Sequence, residues 1–165
     1  MRVLMVLVAA LFCGPAFAEK PAYQLESLML LQPEFVLEQR ASAEDLSNYI
    51  KAVRTAAEAV VAEEKGQHPA SGYIVLAVRP GGRSKVWLDF TPALPPALDA
   101  RLAAALGAVV PFQARKGVVV FAINSSLWGA PAAQRPPAPA EWTKAMEGTS
   151  DPMEIGELVE RIWDK

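Results

Sequence analysis

The stretch YIVLAVRPGGRSKVWLDF, residues 73–90, determines the expected fold of this chain. Its first part, residues 73–79, is almost continuously apolar, which is typical of a strand buried on both faces. Its last part, residues 85–90, alternates apolar and polar side chains, as a strand with one buried face does. Pro80-Gly81-Gly82 lies between them, and glycine readily adopts the positive φ that a tight reversal requires. The stretch therefore predicts a β-hairpin.

A long amphipathic helix is expected before this hairpin, over residues 43–65. Its apolar residues recur every three or four positions, as on one face of a helix. Ser42 is a typical N-cap, with Asp45 three residues later, and Gly66 is a suitable C-terminal residue. The members of the apolar stripe are Leu46, Ile50, Val53, Ala57, Val60 and Val61.

Two further elements follow the hairpin. A helix is expected from Pro95-Pro96 to Leu106, since proline is tolerated in the first turn of a helix. The apolar run VVVFAI, residues 118–123, predicts a third strand. The expected fold is α+β: a small three-stranded antiparallel sheet in the order strand, strand, helix, strand, packed against the long N-terminal helix, with an extra C-terminal helix.

The two ends of the chain are less well defined. The apolar pattern around Leu25 to Leu31 predicts a short helix before Pro33, although so brief a run is also compatible with a buried strand. Residues 131–165 are expected to form a Pro/Ala-rich linker and then an amphipathic helix capped by Ser150 or Asp151. That helix must bury its apolar stripe on its own sheet or on a partner. The expected domain is therefore residues 19–130.

The first 18 residues have the pattern of a secretory signal peptide. Arg2 precedes an apolar run over residues 3–13, and Ala16-Phe17-Ala18 forms a cleavage site. The run is too short to span a bilayer, which takes about 20 residues. Cleavage after Ala18 would leave no cysteine, which excludes thiol chemistry, disulfides and cysteine metal sites. These features predict a periplasmic protein with no membrane span after cleavage.

Positive charge is concentrated in the middle of the chain. Residues 72–130 carry six Lys or Arg and two Asp or Glu, whereas residues 19–71 carry five and nine, and residues 131–165 carry four and seven. Export and a net acidic balance argue against nucleic-acid binding. The candidate docking residues for an envelope protein or an anionic surface are Arg79, Arg83, Lys85, Arg115 and Lys116. Alternatively, acidic flanking helices neutralise this basic centre, which also includes Arg101, within the same molecule.

Catalytic and metal-binding motifs are not recognisable. His68 is the only histidine, so a zinc site of ordinary composition cannot form around it. Ser125 and Ser126 lie outside any Gly-x-Ser-x-Gly pattern, and Asp89 and Asp99 are a possible carboxylate pair without a motif. We therefore predict no catalytic residue, cofactor or metal. The alternative is a small periplasmic ligand-binding protein or enzyme with a pocket between the helix over 43–65 and the sheet.

Residues 72–123 also resemble a known family. The relevant features are Pro80-Gly81-Gly82 after a strand, Pro96-Ala97-Leu98-Asp99 opening a helix, Val110-Pro111-Phe112, and Gly117 before an apolar strand. This pattern resembles the C-terminal domain of TonB and TolA, periplasmic modules that contact outer-membrane partners. A TonB-like core would cover residues 72–130. The membrane anchor and long proline-rich arm usual in that family are not seen here.

The resemblance implies binding by strand addition at a free sheet edge, which strand 73–79, 85–90 or 118–123 would provide. Together with the predicted export, it leads to the expectation of a non-enzymatic protein–protein interaction module of the bacterial cell envelope.

Overall fold

The computed structural model describes residues 21–148 and 153–164. The predicted signal peptide and the predicted caps Ser150 and Asp151 lie outside these residues. The strands are β1 (Tyr23–Leu30), β2 (Ala70–Arg79), β3 (Arg83–Thr91) and β4 (Val119–Leu127), and the helices are α1 (Glu34–Arg40), α2 (Ala43–Ala62), α3 (Pro96–Gly107), α4 (Ala140–Met146) and α5 (Ile155–Ile162).

The sheet has four strands, in the order β1-β4-β2-β3, and every neighbouring pair is antiparallel. The prediction of three strands is therefore wrong, while the α+β class is compatible with the structure. The additional strand is β1, where the sequence analysis favoured a short helix and left a strand as the alternative.

The side chains of β1 explain why this segment is a strand. Leu28 and Leu30 lie opposite Ile123 and Phe121 of β4, on the same side of the sheet as α2. Met29 points to the other side, where it packs against a second apolar cluster. Apolar residues on both sides suit a strand, whose successive side chains point to opposite faces, better than a helix with one apolar face.

The local signals of the middle region predicted their elements well. The hairpin turn contains Gly81 and Gly82 at φ values of 88° and 65°, which glycine adopts without steric cost. Helix α2 begins after Ser42, whose Oγ accepts a hydrogen bond of 3.1 Å from the Asp45 amide. Its C-cap is Glu63, so the prediction that it ends at Gly66 is wrong. Glu63 keeps helical backbone angles and its amide still donates to the Ala59 carbonyl, so the end of α2 does not need the positive φ that glycine would provide.

Helices cover both faces of the sheet. One apolar cluster joins α2 and α3 to the sheet, and the other joins α4 and α5 to its opposite face. Helix α4 lies just after the Pro/Ala-rich segment and was not predicted. The apolar stripe of α5 packs on the protein's own sheet, where Leu158, Val159 and Ile162 are at most 2% exposed. Among the residues described, no helix combines the length and apolar character needed to cross a bilayer.

Candidate functional site

Three of the predicted docking residues meet at one end of the sheet. Arg83 begins β3 directly after the hairpin turn, and β4 begins beside the end of β2. Arg115 and Lys116 lie in the loop that leads into β4. The side chain of Gln113 from the same loop reaches Gly82 in the turn, at 2.8 Å from where a Cβ on that glycine would lie. The loop and the turn are therefore adjacent.

A fourth cation at this end was not predicted. Arg40 ends α1, and its Nη1 donates a 2.6 Å hydrogen bond to the Val118 carbonyl. The Arg115 amide donates in turn to the Arg40 carbonyl over 2.8 Å. We call Arg40, Arg83, Arg115 and Lys116 the basic end. Arg40 was not predicted, because it precedes Arg115 and Lys116 by about 75 residues in the sequence. Its own segment of the sequence is acidic.

Among the described residues, the basic end has no carboxylate partner. Arg83, Arg115 and Lys116 are exposed and Arg40 is half-buried. Within residues 21–148 and 153–164, none of the four forms an ion pair with a carboxylate. An exposed group of unpaired cations produces a positive potential that extends into solvent.

Arg79, another predicted docking residue, faces the C-terminal helix. Its guanidinium lies over the Trp163 ring, 4.7 Å from the ring centroid, and 3.9 Å from carboxylate oxygens of both Glu160 and Asp164. The Arg79 side chain is only 16% exposed. Its charge is thus balanced by the acidic C-terminal segment, as the alternative interpretation of the basic centre anticipated. Arg101 is similarly paired with Glu63 and Glu64 of α2.

Lys85 is also engaged within the molecule. Its Nζ lies 2.8 Å from Glu141 Oε1 of α4 and donates over 3.0 Å to the Ile162 carbonyl. Trp87 Nε1 donates to the other oxygen of Glu141. Burial raises the pKa of Glu141, but hydrogen bonds from Lys85 and Trp87 outweigh it, so the pKa lies below its ordinary value. Lys85 therefore anchors α4 rather than facing solvent.

Asp89 anchors the Pro/Ala-rich segment to β3. Its two carboxylate oxygens accept hydrogen bonds of 2.7 and 2.6 Å from Arg135, and the Ala138 amide donates over 2.7 Å. Burial raises the pKa of Asp89, but these hydrogen bonds dominate and bring the pKa below its ordinary value. Asp99 lies in α3, on the opposite face of the sheet. The structure therefore does not bring the two carboxylates together as a pair.

The hydroxyl groups and the histidine are also held in separate contacts. Ser125 Oγ and Tyr23 Oη share a buried hydrogen bond of 3.0 Å, and Ser126 Oγ donates to Glu26. The His68 ring stands edge-on to Trp128, with centroids 5.8 Å apart. In the part of the chain that the structure describes, no group of three or more His, Cys, Asp or Glu residues is arranged to hold a metal ion.

The space between α2 and the sheet is filled with side chains. Val53, Ala57 and Val61 of α2 and Ile74 and Leu76 of β2 belong to one cluster, and each is at most 1% exposed. A cavity of about 160 Å³ lies instead at the margin, between α1, the start of α2 and the end of β1. The pocket postulated for a ligand-binding protein or enzyme is thus occupied by core residues.

The chain matches no protein-family model, and no curated protein or solved structure is significantly similar to it.

Proposed function

We propose that this protein is an exported, non-enzymatic interaction module of the bacterial cell envelope, acting in the periplasm. The amino-terminal sequence pattern supports export. The observation that carries the contact function is the basic end, where Arg83 of the turn and Arg115 and Lys116 of the adjacent loop are exposed without carboxylate partners among the described residues. The partner is an acidic surface of another envelope protein.

The contrast with the other cations supports this assignment. Arg79, Lys85 and Arg101 each have a carboxylate within 4 Å. Each pair therefore carries little net charge, and its electrostatic potential is weak at distances beyond the Debye length, which is about 8 Å at physiological ionic strength. The basic end retains its charge, which would steer an acidic partner toward it and determine the orientation of docking.

The strand order limits where the resembled family's mode of binding could operate. β2 and β4, which contain residues 73–79 and 118–123, are both interior strands. β3 is an edge strand, but Arg135 Nη2 donates a 3.3 Å hydrogen bond to the Asp89 carbonyl there. The linker thus already contacts β3, which favours docking through side chains at the basic end over strand addition within residues 72–123.

The proposal is tested by charge reversal with a matched control. The triple variant Arg83→Glu/Arg115→Glu/Lys116→Glu reverses the charge of three of the four residues of the basic end. The control Lys51→Glu/Lys65→Glu/Lys144→Glu changes net charge equally at exposed residues elsewhere. Tagged mature forms are incubated with envelope extract, and co-purifying proteins are quantified. We expect the first variant to lose about tenfold or more of the bound partner and the control to retain it.

Equal capture by wild type and both variants would contradict the proposal. An anionic lipid surface is the other possible counterpart, and co-sedimentation with phosphatidylglycerol vesicles distinguishes it. If only vesicle binding depends on the basic end, the counterpart is a membrane surface and the protein–protein assignment is wrong.

A further inference from the structure

Large apolar side chains are exposed along β1 and the helix after it. Leu28 and Leu30 are 42% and 44% exposed, and Phe35 of α1 is 64% exposed. β1 is an edge strand, and β4 is the strand bonded to it. Among residues 21–148 and 153–164, no strand pairs with its outer side. Its outward amide and carbonyl groups are therefore available for another strand.

The apolar surface continues into the cavity of about 160 Å³ noted above. Leu30 and Val119 of the sheet, Leu37 of α1 and Leu46 of α2 line it. The cavity opens beside the end of β1, so a side chain of a strand added to β1 could enter it. We call this surface, formed by Leu28, Leu30, Leu37, Leu46 and the neighbouring helix α1, the β1–α1 groove.

The rim of the groove is acidic. Glu34 and Glu38 line the cavity and are exposed. Within the described part of the chain, neither forms an ion pair. The basic end adjoins this rim, because Arg40 ends α1 and Arg115 Nη2 donates a 3.1 Å hydrogen bond to the Glu38 carbonyl. A cationic occupant would complement this rim, whereas an acidic one would be repelled.

We infer that the β1–α1 groove binds an extended segment of a partner protein in which apolar and basic side chains alternate. The segment's backbone pairs with the outer side of β1, one apolar side chain enters the cavity, and a Lys or Arg lies beside Glu34 and Glu38. Backbone pairing provides affinity, and the cavity and rim provide specificity. This site prefers the opposite charge to the basic end, which it adjoins at Arg40, the last residue of α1.

A second copy of the chain is a poorer occupant than such a segment. Two copies paired through β1 would bring two sets of Glu26, Glu34 and Glu38 to one interface, and like charges facing each other cost free energy.

The test uses fluorescently labelled synthetic peptides and the mature protein, with binding followed by anisotropy. The cationic peptide KVKLKVKV should bind, while the acidic EVELEVEV and the scrambled KKKKVLVV should bind about tenfold more weakly or not at all. KVKLKVKV with every residue N-methylated should also fail, because neither of its edges has amides that can pair with β1.

Variants then locate the binding surface. Leu30→Lys and Glu34→Lys/Glu38→Lys should each weaken KVKLKVKV binding about tenfold or more. Val110→Lys and Glu63→Lys/Glu147→Lys are matched controls at exposed residues on other surfaces, and these should leave binding unchanged. Circular dichroism verifies that each variant is folded, which is expected because the substituted side chains are exposed.

Several results would overturn the inference. Equal binding of EVELEVEV or of the scrambled peptide would remove the chemical preference, and binding unaffected by Leu30→Lys or by Glu34→Lys/Glu38→Lys would place the site elsewhere. A dimer that Leu30→Lys dissociates would assign the groove to a second copy. The variant Arg83→Glu/Lys116→Glu leaves Arg115 and its hydrogen bond to Glu38 intact and should bind KVKLKVKV normally, so failure of the proposed function and failure of this inference are separable.

Discussion

At the scale of single residues, Gly72 shows how closely β2 and β3 approach each other. A Cβ at this position would lie 2.1 Å from the Asp89 carbonyl oxygen and 2.6 Å from the Phe90 Cα. Both are backbone atoms inside the sheet, so neither can move aside without disturbing the ladder. We expect Gly72→Ala to lower the free energy of unfolding by about 2–3 kcal/mol, measured by urea denaturation.

Gly107 is the control for this substitution. It ends α3, and a Cβ there meets nothing within 4 Å. Alanine also has the higher helix propensity, so Gly107→Ala should leave the free energy of unfolding unchanged or raise it by about 0.5–1 kcal/mol. Equal effects of the two substitutions would show that crowding at Gly72 is not the cause.

The residues of the candidate sites were only partly predictable. Arg83, Arg115 and Lys116 could be identified because they belong to a basic stretch of sequence. The partnership of Asp89 with Arg135 could not, because 46 residues separate them and no local pattern records a contact made by tertiary packing. Gly72 lies just before the predicted strand 73–79, and its closeness to another strand is not visible in its own segment.

At the scale of secondary-structure elements, the reliable predictions were those with local chemical signals. The Ser42 cap of α2 and the glycines of the β2–β3 turn act within a few residues, so the sequence displays them directly. β1 has no such signal, and its strand conformation depends on hydrogen bonds from β4, nearly 100 residues away. Helix α4 follows a proline-rich stretch, and its position depends on the contacts of Glu141 with β3.

Helix α5 covers an otherwise exposed apolar face of the sheet. Ile162 is 2% exposed in the cluster formed with β2 and β4. We expect Ile162→Ala to lower the free energy of unfolding by about 2–4 kcal/mol, through lost burial and the cavity left behind. Chemical denaturation followed by tryptophan fluorescence measures this change.

The neighbouring Arg161 provides the comparison. It is exposed and forms only an i,i+4 ion pair with Glu157 at 3.8 Å. Exposed pairs of this type contribute about 0.3–0.5 kcal/mol, so Arg161→Ala should have a small effect. If Ile162→Ala were as mild as Arg161→Ala, α5 would not stabilise the sheet as its burial implies.

At the scale of the whole molecule, the charges of the basic centre are paired on some surfaces and unpaired on another. The acidic C-terminal segment neutralises Arg79 and Lys85 and thereby holds α4 and α5 on the sheet. α2 neutralises Arg101 on the other face. Among the described residues, the four cations of the basic end form no ion pair, so this end keeps its positive charge.

The attachment of the C-terminal segment should depend on pH. Asp89 and Glu141, which anchor the linker and α4 to β3, have ordinary pKa values of 3.8 and 4.5, and both are lower in the folded protein. A carboxyl group with a lowered pKa stabilises the fold fully above its unfolded-state pKa. This contribution is lost as the pH falls through the folded-state pKa. Acid should therefore weaken these two anchors below about pH 4.

The variant Asp89→Asn/Glu141→Gln tests this dependence. At pH 7 it should be less stable than wild type by about 2–3 kcal/mol, because hydrogen bonds to charged groups are lost. At pH 3 the difference should be smaller, since pH 3 lies below both unfolded-state pKa values and wild type has begun to lose the same contribution. Urea denaturation at both pH values, followed by fluorescence of the edge-on Trp87–Trp142 pair, gives the comparison. A difference that stays constant from pH 7 to pH 3 would show that these carboxylates do not anchor the segment through their charge.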